Sequence, residues 1–326
     1  MLGLLGGLQV IRSANTVEQT RLFTEARAVD AGYMTSLTVR LTLGAFTGTG
    51  VVYARYRDRV LIATARHNIE IAAALGNFQA KVRAFRDNVL IRLPGAPADV
   101  HPTTVIAPAQ GAGSVYDVAV LLVRDAAFVA QVRAVVTARI GPFAEGPVWK
   151  LFRQWQGLES FTALGNLGGW WPDHDNEVIN NETFRYRAGD RYHLLQVGYG
   201  RTVANNANTA GNLQTRHMNM CTPWSTIETS IDQSFPDEDE EEPGFKSLLI
   251  LRASNAESTL PGDSGGPLFL LNTWNSDIHL LGTTLGSNFY EDRVDNGDDT
   301  HNNATTVVSK SALEEIAGMD EGMISA

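Results

Sequence analysis

The segment Leu260 to Phe269, LPGDSGGPLF, gathers the residue types that a nucleophilic serine needs. Gly262, Gly265 and Gly266 let the backbone turn tightly and let a substrate approach closely. A turn of this composition can aim the Ser264 hydroxyl outward and converge the N–H groups of Gly262 and Ser264 on one spot, which could hold an oxyanion. A serine hydroxyl is a weak nucleophile by itself, so this reading demands a general base and a third group that orients the base. A plain glycine-rich loop is the alternative, but five such residues flanked by Pro261 and Pro267 are hard to obtain by chance.

The run Gly262 to Pro267 resembles the nucleophile segment of the trypsin and chymotrypsin family of serine endopeptidases. In that family the catalytic order is His, Asp, Ser, with separations of about 45 and about 93 residues. The resemblance implies His67 as the base. It ends VLIATARH, an apolar strand running into a segment similar to the family's Thr-Ala-Ala-His, with Arg66 in place of an alanine and Asn68 in place of a disulfide cysteine. His101, His174, His193, His217, His279 and His301 lack that context and read as core or surface residues. The implied acid is Asp117 in YDVAVLLV, which is similar to the family's Asp-Ile-Ala-Leu-Leu. At that place it would accept a hydrogen bond from the imidazole, fix its tautomer and stabilise the imidazolium. The separation from Asp117 to Ser264 exceeds the family's by about 54 residues. LQVGYGRT, Leu195 to Thr202, resembles the family's Gly-Trp-Gly strand and puts most of that excess before Gly198.

The same resemblance sketches a substrate pocket. Ser258 takes the position at its base, where an aspartate would select Arg or Lys, so a neutral preference is expected, with Glu257 beside it leaving a basic preference open. Thr284, Leu285 and Gly286 correspond best to the wall strand that pairs with substrate backbone, although the sequence offers two registers, and Leu260 replaces the cysteine that staples the pocket. In the family Asp263 pairs with a new N-terminal ammonium after zymogen cleavage. No Ile-Val-Gly-Gly occurs here; cleavage after Arg27 would expose Ala28 at about the family's spacing before His67, while an internal group or a partner holding the loop is the other reading.

These residues need a β framework, and the chain has the pattern of one. Ser36 to Val60 alternates like two strands and a hairpin, and short apolar runs follow at Val60–Thr64, Asn88–Leu93, Val118–Val123, His193–Val197, Ser247–Leu251, Pro267–Leu271, Ile278–Thr284 and Thr305–Val308. Many short strands separated by turn residues indicate a barrel or sandwich. Helical pattern is confined to Val17–Val29, Ala126–Ala138 with Asp125 as a cap, and Ser311–Gly318. With the resemblance, this predicts an all-β fold: two six-stranded antiparallel β-barrels of the chymotrypsin type and a short C-terminal helix. The expected divisions are an N-terminal segment at 1–35 that could be a pro-segment, a first barrel at 36–140, a Trp-rich insertion at 141–191, a second barrel at 192–318 and a tail at 319–326. The acidic run 237–242 reads as a solvated loop in the second barrel.

Composition narrows the chemistry. The chain has 326 residues, 44% of them hydrophobic and 19% charged, with a net charge of -10, six of the negatives lying at 237–242. Phosphate backbones are bound mainly by Lys and Arg, so nucleic acid is not an expected partner. No stretch approaches the roughly 18 uninterrupted apolar residues of a membrane span. Cys221 is the sole cysteine, which excludes an intramolecular disulfide and a cysteine-held zinc; with no standard signal peptide in Met1 to Val10, the expectation is a cytoplasmic protein. No cofactor and no metal are expected. The expected function is a serine endopeptidase acting on a protein or peptide through an acyl-enzyme, with an activating protease or regulatory partner as a further candidate. Freedom from disulfides makes it similar to bacterial effector proteases that cut one dedicated protein. The alternative is a pseudo-protease or partner-regulated binding module on the same fold.

Overall fold

The computed structural model describes residues 28–71, 77–107, 118–142, 145–151, 192–201, 211–218, 227–228, 248–253, 259–272, 276–287 and 301–307. The first half opens with helix α1 (Ala28–Ser36), followed by strands β1 (Thr38–Leu43), β2 (Phe46–Arg55) and β3 (Val60–Thr64). Then come the short helix α2 (His67–Glu70), helix α3 (Phe78–Asn88), β4 (Leu90–Arg92), β5 (Thr104–Ile106), β6 (Ala119–Val123) and helix α4 (Ala126–Ile140). Two-residue strands β7 (Gly146–Pro147) and β8 (Lys150–Leu151) lead to the second half. There lie β9 (Tyr192–Gly198), β10 (Gln214–Met218), β11 (Ile227–Glu228), β12 (Leu248–Ala253), β13 (Pro267–Asn272), β14 (Asp277–Ser287) and β15 (His301–Val307).

The strands form a seven-stranded and an eight-stranded sheet. In the first the neighbours run β4-β1-β2-β3-β6-β5, with β7 added on β2; in the second they run β10-β9-β13-β14-β15-β12-β11, with β8 added on β14. Number the six main strands of each half in chain order. The first sheet then reads 4-1-2-3-6-5 and the second 2-1-4-5-6-3. Both are the single cyclic order 1-2-3-6-5-4, opened at different seams, so the two halves share one topology. At the seams, Ile91 bridges Val100 in the first half and β10 approaches β12 in the second. The expected six strands per half are these main strands; β7, β8 and β11 are two-residue additions at the margins.

Local chemistry explains the elements. The β1–β2 hairpin turns at Gly44, whose φ of 57° lies in the left-handed region that glycine enters without steric cost. β3 (VLIAT) and β6 (AVLLV) pair through their whole length and every residue is buried, as expected of uninterrupted apolar runs at a sheet centre. In α4, Asp125 caps the start by accepting from Phe128 N at 2.8 Å, and Phe128, Val129, Val132 and Val136 form its buried face. α3 starts on Asn77, whose side chain accepts from Ala80 N at 2.9 Å, and it buries Val82 and Phe85. Neither α3 nor most of α1 is foreseen by the sequence reading. The predicted helix Val17–Val29 overlaps α1 only at its end, and the predicted helix Ser311–Gly318 lies outside the described residues.

One tryptophan of the expected insertion ties the halves together. Trp149 is buried, its Nε1 donates to Val52 O of β2 at 2.6 Å, and its ring meets Tyr33 of α1 at 4.9 Å and Phe269 of β13 at 4.5 Å. Tyr33 donates its hydroxyl to Val148 O at 2.9 Å, and Asp30 pairs with Arg139 of α4 at 2.6 Å. So α1 is bound into the structure from Asp30 onward, and the insertion begins as a structural joint. Trp155, Trp170 and Trp171 lie outside the described residues.

Candidate active site

His67 stands where β3 ends. Thr64 closes the strand, Ala65 and Arg66 turn the chain, and His67 opens α2, held by Asn68 N to Ala65 O at 3.2 Å and Ile69 N to Arg66 O at 2.9 Å. Arg66 pairs with Glu70 at 2.7 Å and lies over the Phe78 ring at 4.3 Å. His67 is partly exposed, whereas Asn68 and Ile69 are buried. β6 pairs antiparallel with β3, Ala119 opposite Thr64, so β6 starts at the His67 end of the ladder. Asp117 lies outside the described residues, as does Ser258.

Ser264 lies in the loop Leu260–Gly266, between residues of the second half and the edge of the first. Within this loop nearly every polar backbone group is committed. The carbonyls of Leu260 and Pro261 accept from Asp263 N at 3.0 Å and Arg201 N at 3.1 Å. Those of Gly262 and Asp263 accept from Thr49 Oγ1 at 2.7 Å and Gly266 N at 2.7 Å. The Ser264 carbonyl accepts twice, from Thr49 N at 3.0 Å and from Asn68 Nδ2 at 3.0 Å. Of the N–H groups, Leu260 donates to Asp263 Oδ2 at 2.9 Å and Gly265 to Thr284 O at 2.7 Å. The amides of Gly262 and Ser264 have no acceptor among the described residues. Among the described residues no peptide bond is cis, and in a trans peptide N–H and C=O point opposite ways. The bonds at Pro261 O and Asp263 O therefore fix the directions of the two uncommitted amides that follow them.

Two glycines make this backbone path open to the chain. Gly262 has φ 105° and Gly265 has φ 82°, values that L side chains rarely adopt. At Gly265 a Cβ would also run into Thr64 Oγ1, Thr49 O and Ala65 N, so the loop lies directly on the strand end and turn that precede His67. Ser264 itself is partly exposed, while Gly262, Asp263, Gly265 and Gly266 are buried. The Asp263 carboxylate, fully buried, accepts from Gly200 N at 2.8 Å as well as from Leu260 N. Gly198 and Gly200, expected as a register mark, flank this carboxylate with no side chain in its way. Between them Tyr199 donates its amide to Thr49 Oγ1 at 3.0 Å and its hydroxyl to Thr38 O at 3.3 Å. Burial pushes the Tyr199 hydroxyl up to about 12, against the lowering effect of Arg40.

Thr284 is drawn into the loop's support. It is buried, its amide donates to Gly266 O at 2.7 Å, its carbonyl accepts from Gly265 N, and its hydroxyl donates to Gly266 O at 3.0 Å. Both main-chain groups of Thr284 are thereby engaged inside the protein. Leu285 and Gly286 continue β14, with a bulge between Thr284 and Gly286.

Sequence reasoning does not single out Thr49 or the amides of Gly200 and Arg201, which hold this loop, and it meets Thr64 only as the head of the His67 segment. They act through backbone or hydroxyl groups, and threonines in a strand carry no mark of that use. Asn68 is visible only as the residue after His67. Among the described residues no group of three or more His, Cys, Asp or Glu side chains could hold a metal ion, and no helix is long and apolar enough to cross a membrane.

No protein-family model matches the chain, and no curated protein matches it by sequence. Among solved structures it is similar to neuropsin, a serine protease expressed in the limbic system of mouse brain, with 13% identity over 88% of this chain and 96% of that one and a TM-score of 0.46. It is also similar to Rv3671c from M. tuberculosis H37Rv in a mutant, inactive form, with 15% identity over 91% of this chain and 94% of that one and a TM-score of 0.44. At these identities and TM-scores the likenesses carry no argument about this chain. Strand order and the docked loop carry the assignment. The chain has two sheets whose six main strands follow one cyclic order, as the expected two-barrel β fold requires, with its GDSGGP loop set on the strand end that leads into His67.

Proposed function

We propose that this chain is a serine endopeptidase. The observation that carries the reading is the pattern of commitments in the Ser264 loop. From Leu260 to Ser264 every carbonyl is engaged, while the amides of Gly262 and Ser264 have no acceptor among the described residues. Two preorganised, uncommitted donors beside a partly exposed serine are what an oxyanion at a tetrahedral intermediate requires. In this mechanism Ser264 Oγ attacks the scissile carbonyl and His67 takes the serine proton. Asp117 orients His67 and stabilises its charged form, and the two amides hold the oxyanion. His67 then gives the proton to the leaving amine, and water attacks the acyl-enzyme by the same route in reverse. Substrate backbone would pair with β14 at Leu285 and Gly286, since Thr284 is engaged by the loop. Ser258 at the pocket base would favour a neutral side chain before the cut, and the partner is a protein or peptide substrate. No cofactor enters the mechanism.

The test is covalent labelling by a fluorophosphonate probe, with mass spectrometry to locate the adduct and Ser264→Ala as control. The expected result is one adduct, on Ser264, that is absent from the variant. A folded chain that takes no adduct would reject the reading in favour of a binding module.

A further inference from the structure

We infer that Asn68 is a positioning residue that sets Ser264 against His67, by donating its side-chain amide to the carbonyl of Ser264. The inference rests on the protease reading and adds to it a device belonging to this chain's own residues. Asn68 is covalently next to His67, is fully buried, and reaches a residue far away in sequence. Both hydrogens of its Nδ2 are spent, one on Thr64 Oγ1 at 3.0 Å and one on Ser264 O at 3.0 Å. Thr64 passes its own hydroxyl hydrogen to Thr49 O at 2.7 Å, and Thr49 N returns to Ser264 O at 3.0 Å. The result is a closed ring of hydrogen bonds, Asn68 to Thr64 to Thr49 to Ser264, with His67 attached at one point and the nucleophile at another.

Three features mark the arrangement as specific. A carbonyl can only accept, so the Ser264 oxygen dictates which end of the Asn68 amide faces it. The other end, Asn68 Oδ1, is buried and accepts nothing from the described residues, so the side chain is oriented by what it donates to and not by its own full satisfaction. Gly48 provides the room: a Cβ there would come within 3.2 Å of Asn68 Nδ2 and 3.0 Å of the Phe46 ring. The carbonyl of Ser264 shares its Cα with the side chain that attacks. Rotation of that peptide therefore swings the hydroxyl relative to His67, and misplacement by about 1 Å can cost about 100-fold in rate.

The experiment uses the full chain and the fluorophosphonate probe, and it separates two numbers. The end point of labelling counts the molecules with a competent site, and the second-order rate constant reports how well each site is set. Asn68→Ala is expected to label to the same end point about 10- to 100-fold more slowly. Asn68→Asp keeps the shape but, when ionised, opposes a carboxylate to the Ser264 carbonyl and should also be slow. Its rate relative to the unaltered chain at the same pH should rise as pH falls, because the protonated carboxyl can donate again. If Asn68→Ala lowers the end point through misfolding, the Asp variant and Gly48→Ala, which crowds the amide and the Phe46 ring, still report the rate per competent site. Equal rate constants per labelled molecule in all three variants, whatever their end points, would reduce Asn68 to a structural residue and overturn the inference. Absence of any adduct on the unaltered chain would overturn the nucleophile assignment itself, and this role with it.

Discussion

The two segments that meet at the site are held in opposite ways. His67 is fixed by its neighbours in sequence: a buried strand before it, two local backbone bonds around it, and the Arg66–Glu70 pair across its helical turn. The Ser264 loop is fixed from afar, by Thr49 and Asn68 of the first half and by Arg201, Gly200 and Thr284 of the second. The base is therefore placed by local structure, whereas the nucleophile is placed only when both halves are folded and docked. Changes to the backbone of the Ser264 loop should strike chemistry and docking together, while changes to the local contacts of His67, such as the Arg66–Glu70 pair, should be absorbed locally.

The largest expected effect belongs to the nucleophile. Ser264→Ala should lower turnover by about 10⁴-fold or more with thermal unfolding unchanged, because its hydroxyl is the reacting group and the bonds that hold the loop run through the backbone. A fall in activity matched by a fall in Tm would instead make the side chain part of the docking. Gly265→Ala comes next. It forces a side chain into a left-handed φ of 82° and against Thr64, Thr49 and Ala65. The strain and the overpacking together should cost about 3 kcal/mol or more and abolish labelling of Ser264. Calorimetry beside labelling checks it, and an Ala variant that labels at the normal rate would show that the loop is not held by this contact.

Alkaline pH probes the joints behind both segments. Burial pushes Tyr33 up to about 12 from 10, with Arg139 and Arg55 acting the other way, and Tyr199 is raised likewise. The folded state thus favours the protonated hydroxyl. Its contribution is complete below pH 10 and is lost as pH rises from 10 through 12, by roughly 2 to 3 kcal/mol for each tyrosine. Denaturant titration at several pH values should show that fall, and Tyr33→Phe and Tyr199→Phe should each flatten it. A fall unchanged by both substitutions would place its origin elsewhere.

The same contrast explains what the sequence shows of this protein. The strands β3, β6, β9, β13 and β14 were legible because each is an apolar run bounded by turn residues, and the α4 cap because Asp125 precedes a helical face. The Ser264 loop was legible because positive φ demands glycine, which leaves a mark in the sequence. What supports the loop left no such mark. Main-chain donors such as Arg201 N and Gly200 N are available at any residue, and the Thr49 hydroxyl is one among many threonines. Helix α3 escapes notice because it is mostly polar and buries only Val82 and Phe85, although its apolar residues share one face. The shared cyclic order of the two sheets has no counterpart in sequence, since it depends on pairing partners and not on residue types.

The smallest expected effect tests the local side of the comparison. Arg66 adjoins His67, pairs with Glu70 at 2.7 Å and covers Phe78 at 4.3 Å. An ion pair of this kind contributes about 0.3 to 1 kcal/mol and a cation over an aromatic ring about 0.5 to 1. Arg66→Ala should therefore lower stability by roughly 1 to 2 kcal/mol. It should leave the labelling rate of Ser264 within about twofold, because the backbone bonds of α2 and the burial of Ile69 hold His67 without the guanidinium. The discriminating comparison is with Asn68, on the other side of His67, whose removal should slow labelling about 10- to 100-fold. If Arg66→Ala slowed labelling tenfold or more, the base would also be set by side-chain contacts, and the division between a locally placed histidine and a remotely placed serine would fail.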